Sequence, residues 1–282
     1  MIVDTHVHLW DAAHTPQPWM TPEHDAIARP FEAEDLKPLL DRNGVDAVVV
    51  VQGACLDSDT DVICAEAART PWIAAVTAGP RLDDPVGARR RLDVLLSRPK
   101  VRGIRHLIHG ESDPHWIMQE PVLESLAMLE RDGLLLELPA VYPRHLDDVA
   151  ELAGRFPGLV FVIDHLGKPP LGGADLDAWE QKLRACAEAP NVVAKLSGLN
   201  TALDRRDWSA EDFVGVAAAA VDAFGPERLM WGSDWPVALL NGDYDRVWEA
   251  TRRVVTLVAP GSEDALLGGT ASRVYRLSEE GA

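Results

Sequence analysis

The chain has 282 residues, 47% of them hydrophobic, and its 45 acidic residues outnumber its 27 basic ones, so the formal net charge is −18. A chain this acidic repels nucleic acid and anionic membrane surfaces, and neither is expected as a partner. No apolar run approaches the roughly 18 residues that a membrane span requires. The three cysteines form no Cys-x-x-Cys pair, which favours a reducing, cytoplasmic location.

Short apolar runs alternate with amphipathic stretches along the chain, as parallel β/α units require. The predicted strands span residues 2–8, 46–52, 72–78, 101–107, 134–138, 159–165, 192–197 and 229–234. The predicted helices span residues 35–42, 61–69, 85–96, 121–131, 146–156, 175–189, 210–224 and 244–258, and a final helix over 263–276 is expected to pack across the barrel. Eight strands, each followed by a helix, predict an α/β fold: a distorted (β/α)8 TIM barrel that forms a single domain over residues 1–282.

The first strand carries two histidines, His6 and His8, two positions apart. Side chains at alternate positions of a strand point to the same face, so these imidazoles stand side by side, with Cα atoms about 7 Å apart. This spacing allows both rings to bind one divalent metal ion. The longest loop, residues 9–34, follows directly and is expected to face a substrate or to form a lid.

In a TIM barrel, active residues lie at the C-terminal ends of the strands. The later predicted strands end in or carry further polar groups, namely Arg105, His106, Glu137, His165 and Asp234. Histidine and carboxylate side chains that converge in this way fit a zinc or manganese site with an open coordination position.

Each of these residues also has a structural interpretation. His165 could be a buried histidine bonded to a backbone carbonyl, and Asp234 could cap the turn that follows it. Arg105 could pair with Glu137 or Glu111. Glu137 lies within an apolar run, where an unpaired carboxylate costs several kcal/mol, so it requires a metal or an arginine as partner. Lys195 either lies in the pocket or points to a solvated rim.

Six short motifs, in order along the chain, resemble the amidohydrolase superfamily, and within it the amidohydrolase-2 branch of sugar-acid lactonases of the L-fucono-1,5- and L-rhamnono-lactonase type. They are DTHVHLW at residues 4–10, GIRH at 103–106, DHLGKP at 164–169, KLSGL at 195–199, RLMWGSDWPV at 228–237 and GGTA at 268–271. The likeness covers the whole chain.

The resemblance implies hydrolysis of an aldonolactone, a cyclic ester of a sugar acid, to the open acid. It places the metal site at His6, His8, His165 and Asp234. Binuclear members of the superfamily carry further histidines, but Lys195 stands at the next strand end here. This departure implies at most one divalent ion, zinc or manganese, and some relatives with this reduced set work without metal.

Ester chemistry then assigns the expected roles. Asp234 is expected to act as the general base for the attacking water and to return the proton to the ring oxygen. The water is either bound to the metal or held by His6, His8 and His165. The oxyanion is stabilised either by the metal or by Arg105 with His165. The residues expected to contact the substrate hydroxyls are Trp19, Gln52, Arg105, His106, Trp116 and Lys195. The expected partner is a small sugar lactone, and a homo-oligomer remains an open alternative.

Two other functions remain open from the sequence. One is a non-oxidative decarboxylase of aromatic acids on the same scaffold, which uses the same set of histidines and aspartate. The other is a non-catalytic sugar-acid binding protein. Lys195, Gln52 and the loop tryptophans suit a polyol better than a flat ring, and the retained acid–base residues count against loss of catalysis.

Overall fold

The structure is a computed structural model that describes residues 1–11, 15–173 and 175–277. Its strands are β1 (Val3–Val7), β2 (Ala47–Val51), β3 (Ile73–Thr77), β4 (Val101–Arg105), β5 (Leu135–Leu138), β6 (Phe161–Ile163), β7 (Val192–Leu196) and β8 (Leu229–Trp231). Each predicted strand is confirmed, and every one is shorter than predicted. Residues predicted at the C-terminal ends of several strands instead form turns just after them. His8, His165 and Asp234 lie on these turns.

The helices are α1 (Ala33–Asn43), α2 (Asp57–Arg69), α3 (Pro85–Leu95), α4 (Glu120–Asp132), α5 (Leu146–Arg155), α6 (Leu176–Ala187), α7 (Glu211–Phe224), α8 (Tyr244–Val258) and α9 (Thr270–Val274). The predicted final helix is not regular, because a π-helical turn over Ala265–Gly269 precedes α9. None of the helices described is long and apolar enough to cross a membrane.

The strands pair in parallel in the order β1 to β8 and form a nearly closed barrel with the helices outside. The run Val48–Val51 shows how both faces of a strand are buried. Val49 and Val51 pack inside the barrel, whereas Val48 and Val50 pack in the larger core against the helices. Burial on both faces explains why this run is apolar without alternation.

The seam between β1 and β8 closes the distorted barrel without a regular ladder among the described residues. The Asp234 N–H donates to the His6 carbonyl at 2.9 Å, and the His8 N–H donates to the Trp235 carbonyl at 2.7 Å. Gly232 permits this close approach, because a Cβ atom there would lie 2.7 Å from the His6 Cβ. The seam therefore places His6 of β1, and His8 just after β1, beside the aspartate that follows β8.

The C-terminal segment covers the opposite end of the barrel. Gly268 packs against the first residue, where a Cβ atom would lie 2.0 Å from the Met1 carbonyl oxygen. Tyr275 is fully buried with the interior valines, and its hydroxyl donates to Glu137 Oε1 at 2.6 Å. The expected packing of the final segment across the barrel is confirmed.

Candidate active site

A pocket of about 330 Å³ opens at the C-terminal ends of the strands. Five residues predicted for the site line it: His8, Trp19, Arg105, His165 and Asp234. This position is the one that the barrel fold predicts for an active site.

His6, His8 and Asp234 converge beside this pocket. The Nδ1 of His8 lies 2.8 Å from the Val51 carbonyl, and the donor there must be the imidazole N–H, so the Nε2 of His8 keeps a free lone pair. The Asp234 Oδ1 lies 3.5 Å from His8 Nε2 and 3.7 Å from His6 Nε2. These separations are too long for strong hydrogen bonds but suit three groups around one ion.

The ligand-atom geometry supports a metal at this position. His6 Nε2 is buried without a hydrogen-bond partner among the described residues, which is unusual for a buried polar atom. One ligand atom each from His6, His8 and Asp234 lies within 4.8 Å of the others. The donor set of two imidazoles and a carboxylate therefore fits a divalent ion.

His165 lies beside this cluster on an unusual turn. It has a left-handed backbone conformation with φ of 55°, as do Leu166 and Lys168, and such strain is common at functional sites. Its Nδ1 lies 2.8 Å from Ser197 Oγ, and its ring centroid lies 4.6 Å from that of His6. His165 belongs to a second possible ligand group, with His6 and Asp164, rather than to the group of His6, His8 and Asp234. The two groups share His6.

Asp164 is the central residue that the sequence analysis missed. Its Oδ2 accepts from Arg105 Nε at 3.0 Å, and its Oδ1 lies 3.3 Å from His6 Nδ1 and 3.4 Å from Lys195 Nζ. Burial alone raises the pKa of Asp164, but Lys195, His6 and Arg105 outweigh burial and hold it well below its usual value. The signal available in the sequence was its position directly before His165 at the end of β6.

Arg105 pairs with neither Glu137 nor Glu111, the two partners considered for it, whereas Glu137 does have a cation partner, as its burial requires. Arg105 pairs with Asp164, and its Nη1 donates to the Gln52 carbonyl at 2.8 Å. Glu137 accepts from Lys195 at 2.7 Å, so its cation partner is a lysine rather than a metal or an arginine.

Lys195 lies beneath the pocket rather than in it. Its side chain is fully buried and its ammonium group faces Glu137, Asp164 and His6. This position corrects the expected contact with substrate hydroxyls, because nearby protein groups already surround the ammonium.

Three other expected substrate contacts are turned away from the pocket. His106 is buried, lies 2.7 Å from Glu111 Oε1 and stacks on Trp116 at a centroid distance of 4.0 Å. Successive side chains of a strand point to opposite faces, so His106 turns away where Arg105 faces inward. The Gln52 side chain is likewise buried, and its Nε2 lies 3.7 Å from Cys55 Sγ.

Other residues line the pocket instead. His24, His109 and Lys168 contribute to the wall, and sequence reasoning did not assign them. Burial and then the nearby Lys168 lower the pKa of His109 to about 3, so its imidazole is neutral near pH 7.

Trp19 is fixed by a hydrogen bond from its indole N–H to the Gly53 carbonyl at 2.8 Å. Residues 12–14 of the long loop lie outside the described residues.

The ionisation states suit acid–base chemistry. Burial lowers the pKa of His165 to about 4 and that of His6 well below its usual value, so both imidazoles are neutral near pH 7. Burial raises the pKa of Asp234, but His165 and other neighbouring imidazoles outweigh it, and the net pKa lies below the ordinary value. An ionised carboxylate therefore faces the pocket among neutral imidazoles.

Comparison with known proteins agrees with this geometry. An L-fucono-1,5-lactonase of Burkholderia ambifaria is 38% identical, covering 98% of this chain and 95% of that protein. A second L-fucono-1,5-lactonase, from Burkholderia multivorans, is 34% identical over 98% of this chain and 96% of its own length. A crystal structure of a Burkholderia multivorans amidohydrolase with bound zinc is 34% identical, with a TM-score of 0.90 and coverage of 99% of this chain and all of that one. The Amidohydro_2 model, described as amidohydrolase, matches residues 3–277, and the chain belongs to that family.

Proposed function

We propose that the protein hydrolyses a six-carbon aldonolactone of the L-fucono or L-rhamnono type to the open sugar acid. The observation that carries this proposal is the identity of 34–38% to two L-fucono-1,5-lactonases over nearly the full length of the chain. The site geometry adds to it, because His8, His165 and Asp234 line one pocket and His6 lies directly behind them.

Opening a lactone requires a base for the attacking water, a donor for the growing oxyanion and an acid for the leaving alkoxide. The ionised Asp234 accepts a proton from the water while the water oxygen bonds to the carbonyl carbon. Arg105 and His165 line the same pocket and donate hydrogen bonds to the carbonyl oxygen. When the ring C–O bond breaks, Asp234 returns the proton to the ring oxygen, and the product is the open acid.

The residues that would hold a divalent ion are His6 and His8 through Nε2 and Asp234 through Oδ1. When bound, such an ion lowers the pKa of water and polarises a carbonyl group. Two imidazoles with one carboxylate favour zinc over manganese. With Oδ1 on the ion, Asp234 would still have Oδ2 to accept the proton of the attacking water.

The pocket suits a polyol ring. Its volume of about 330 Å³ lies at the small end of ligand pockets, as a single sugar ring requires. Buried hydroxyl groups need hydrogen-bond partners, and His109 and Lys168 supply them on the wall. The Trp19 indole offers a face for the apolar C–H side of the ring.

The two alternatives fit less well. A decarboxylase of an aromatic acid needs a carboxylate clamp beside a flat apolar slot. Arg105 donates from Nε to Asp164 and from Nη1 to a backbone carbonyl, which leaves its other Nη for a single oxyanion rather than for a two-point clamp on a carboxylate. A binding protein without catalysis has no need of an ionised Asp234 among neutral imidazoles, an arrangement that suits proton transfer.

A substrate panel tests the proposal. We expect the highest kcat/KM on L-fucono- or L-rhamnono-lactone, a lower value on their epimers and the lowest on unsubstituted δ-valerolactone. The reason is that only a ring with hydroxyl groups can form hydrogen bonds with His109 and Lys168 on the pocket wall. Proton release is measured by pH-stat, with and without a chelator, and the spontaneous rate of hydrolysis is subtracted. Turnover of aromatic hydroxy acids alone, with release of carbon dioxide, would exclude the proposal.

Gly198 provides a second test. Its φ is +61°, and a Cβ atom there would lie 2.6 Å from His165 Nδ1 and 3.1 Å from Asp234 Oδ2. We expect Gly198→Ala to lower kcat by about 10²-fold, because a shift of about 1 Å in a catalytic group has that effect. Gly44→Ala is the matched control, since Gly44 has a φ of +66° and open space around it. If both variants retain wild-type kcat, the contact is not functional.

A further inference from the structure

Four charged side chains lie together at the base of the pocket, where Arg105 contributes to the wall, and their charges balance one another. Lys195 and Arg105 supply the two positive charges, and Glu137 and Asp164 supply the two negative charges; all four are at least 95% buried. Arg105 pairs with Asp164, and Lys195 pairs with Glu137. Tyr275 holds the far oxygen of Glu137. The position of the Lys195 ammonium is therefore fixed from below.

The upper side of this ammonium contacts His6. Lys195 Nζ lies 3.2 Å from His6 Nδ1 in hydrogen-bonding geometry. An ammonium group can only donate, so the imidazole nitrogen must accept. A neutral imidazole that accepts at Nδ1 carries its proton on Nε2. The protonated Nε2, which lies 3.7 Å from Asp234 Oδ1, then has no lone pair free for a metal.

A hydrogen bond from His6 to Asp164 requires the other tautomer of His6, with the proton on Nδ1. Its Oδ1 lies 3.3 Å from the same His6 Nδ1 and has no hydrogen-bond partner among the described residues. A carboxylate can only accept, so a bond to it requires the proton on Nδ1 and frees Nε2. Metal-ligating histidines usually donate their other N–H to a carboxylate or a carbonyl in this way, as His8 does to Val51.

We infer that Lys195 is a positioning residue that holds His6 in the Nε2-protonated tautomer, and that it competes with Asp164 for His6 Nδ1 and so weakens metal binding at Nε2. The metal-free arrangement keeps the proton on Nε2, and the metal-bound arrangement requires the hydrogen bond of His6 Nδ1 to move from Lys195 to Asp164. This inference rests on the metal site of the proposed function. Its tests use no substrate, so a failure of lactone hydrolysis and a failure of this inference are separate results.

The tautomer is measured directly by long-range ¹⁵N–¹H correlation spectra of metal-free protein labelled at histidine. The His6 signals are assigned by their loss in His6→Ala. We expect His6 to be protonated at Nε2 in the wild type and at Nδ1 in Lys195→Met. A wild-type His6 protonated at Nδ1 overturns the inference, and this result needs no variant at Lys195 to fold.

Zinc affinity is the second readout, measured by competition with a chromophoric chelator. We expect Lys195→Met to bind zinc about 10- to 100-fold more tightly than the wild type, the range over which groups behind a ligand change affinity. The double variant Lys195→Met with Glu137→Gln removes the buried pair together and should show the same direction of change. The control is Val193→Ala, on the same strand and in the barrel interior, which should leave zinc affinity and tautomer unchanged. Unchanged or weaker zinc binding in folded Lys195→Met or the double variant contradicts the inference.

Discussion

Replacing Asp234 by Asn is expected to lower kcat by about 10² to 10⁴ with little change in KM or in thermal stability. The amide keeps the shape of the side chain but cannot accept the proton of the attacking water. The wild-type carboxylate is suited to this step, because the surrounding imidazoles keep it ionised despite its burial. Steady-state kinetics on the best lactone of the panel, with a thermal melt for each protein, measure the effect.

Asp148→Asn is the matched control for this substitution, since Asp148 is a buried carboxylate that contacts His115 on another part of the molecule. Its kcat should stay near that of the wild type. Near-wild-type turnover in Asp234→Asn would instead move the role of base to another group. Glu137 is the alternative that the sequence offers, but it lies below Lys195, so Asp164 would become the first candidate.

The second large effect is expected from His6→Ala. This variant removes one of the three groups that converge on the candidate metal position, and the protein should lose both its bound zinc, up to one equivalent, and its activity. The fall in kcat should exceed the 10- to 100-fold typical of losing a group behind a ligand. Metal content is measured by elemental analysis and activity by kinetics on the same sample.

His115→Ala is the control for this experiment, because His115 is largely exposed and pairs with Asp148 outside the site. It should retain both metal and turnover. A wild-type protein that is fully active but free of metal would contradict the metal-dependent mechanism. The imidazoles would then act as hydrogen-bond donors, which is the state that the contact between Lys195 and His6 favours.

The barrel was predictable because its local signals agree. The run Val48–Val51 has the composition of a strand covered on both sides, and Gly44 and Gly133 each end a helix in the left-handed conformation just before a strand. The convergence of His6, His8 and Asp234 was also predictable, since it follows from strand periodicity and from the rule that barrel sites lie at strand ends.

The pairing of charges inside the barrel was not predictable from the sequence. Whether Arg105 meets Glu137 or Asp164 depends on how strands two places apart in the sheet face each other across the interior. The burial of Lys195 and the left-handed turn at His165 likewise arise from contacts between distant segments. Local periodicity contains no information on these contacts, so the place of Lys195 beneath the pocket could not be read from it. The outward turn of His106 was accessible, because it follows from the alternation of side chains along a strand.

The most direct test of the central claim is proton release from L-fucono-1,5-lactone by the wild type and by Asp234→Asn, prepared identically and measured beside a protein-free control. Sugar lactones open spontaneously, so both comparisons are needed. We expect the wild type to release one proton per lactone at a rate far above the protein-free rate. The rate of the variant should fall by about 10²-fold or more, towards the protein-free rate. Wild-type and variant rates that both equal the protein-free rate would contradict lactone hydrolysis as the function of this site.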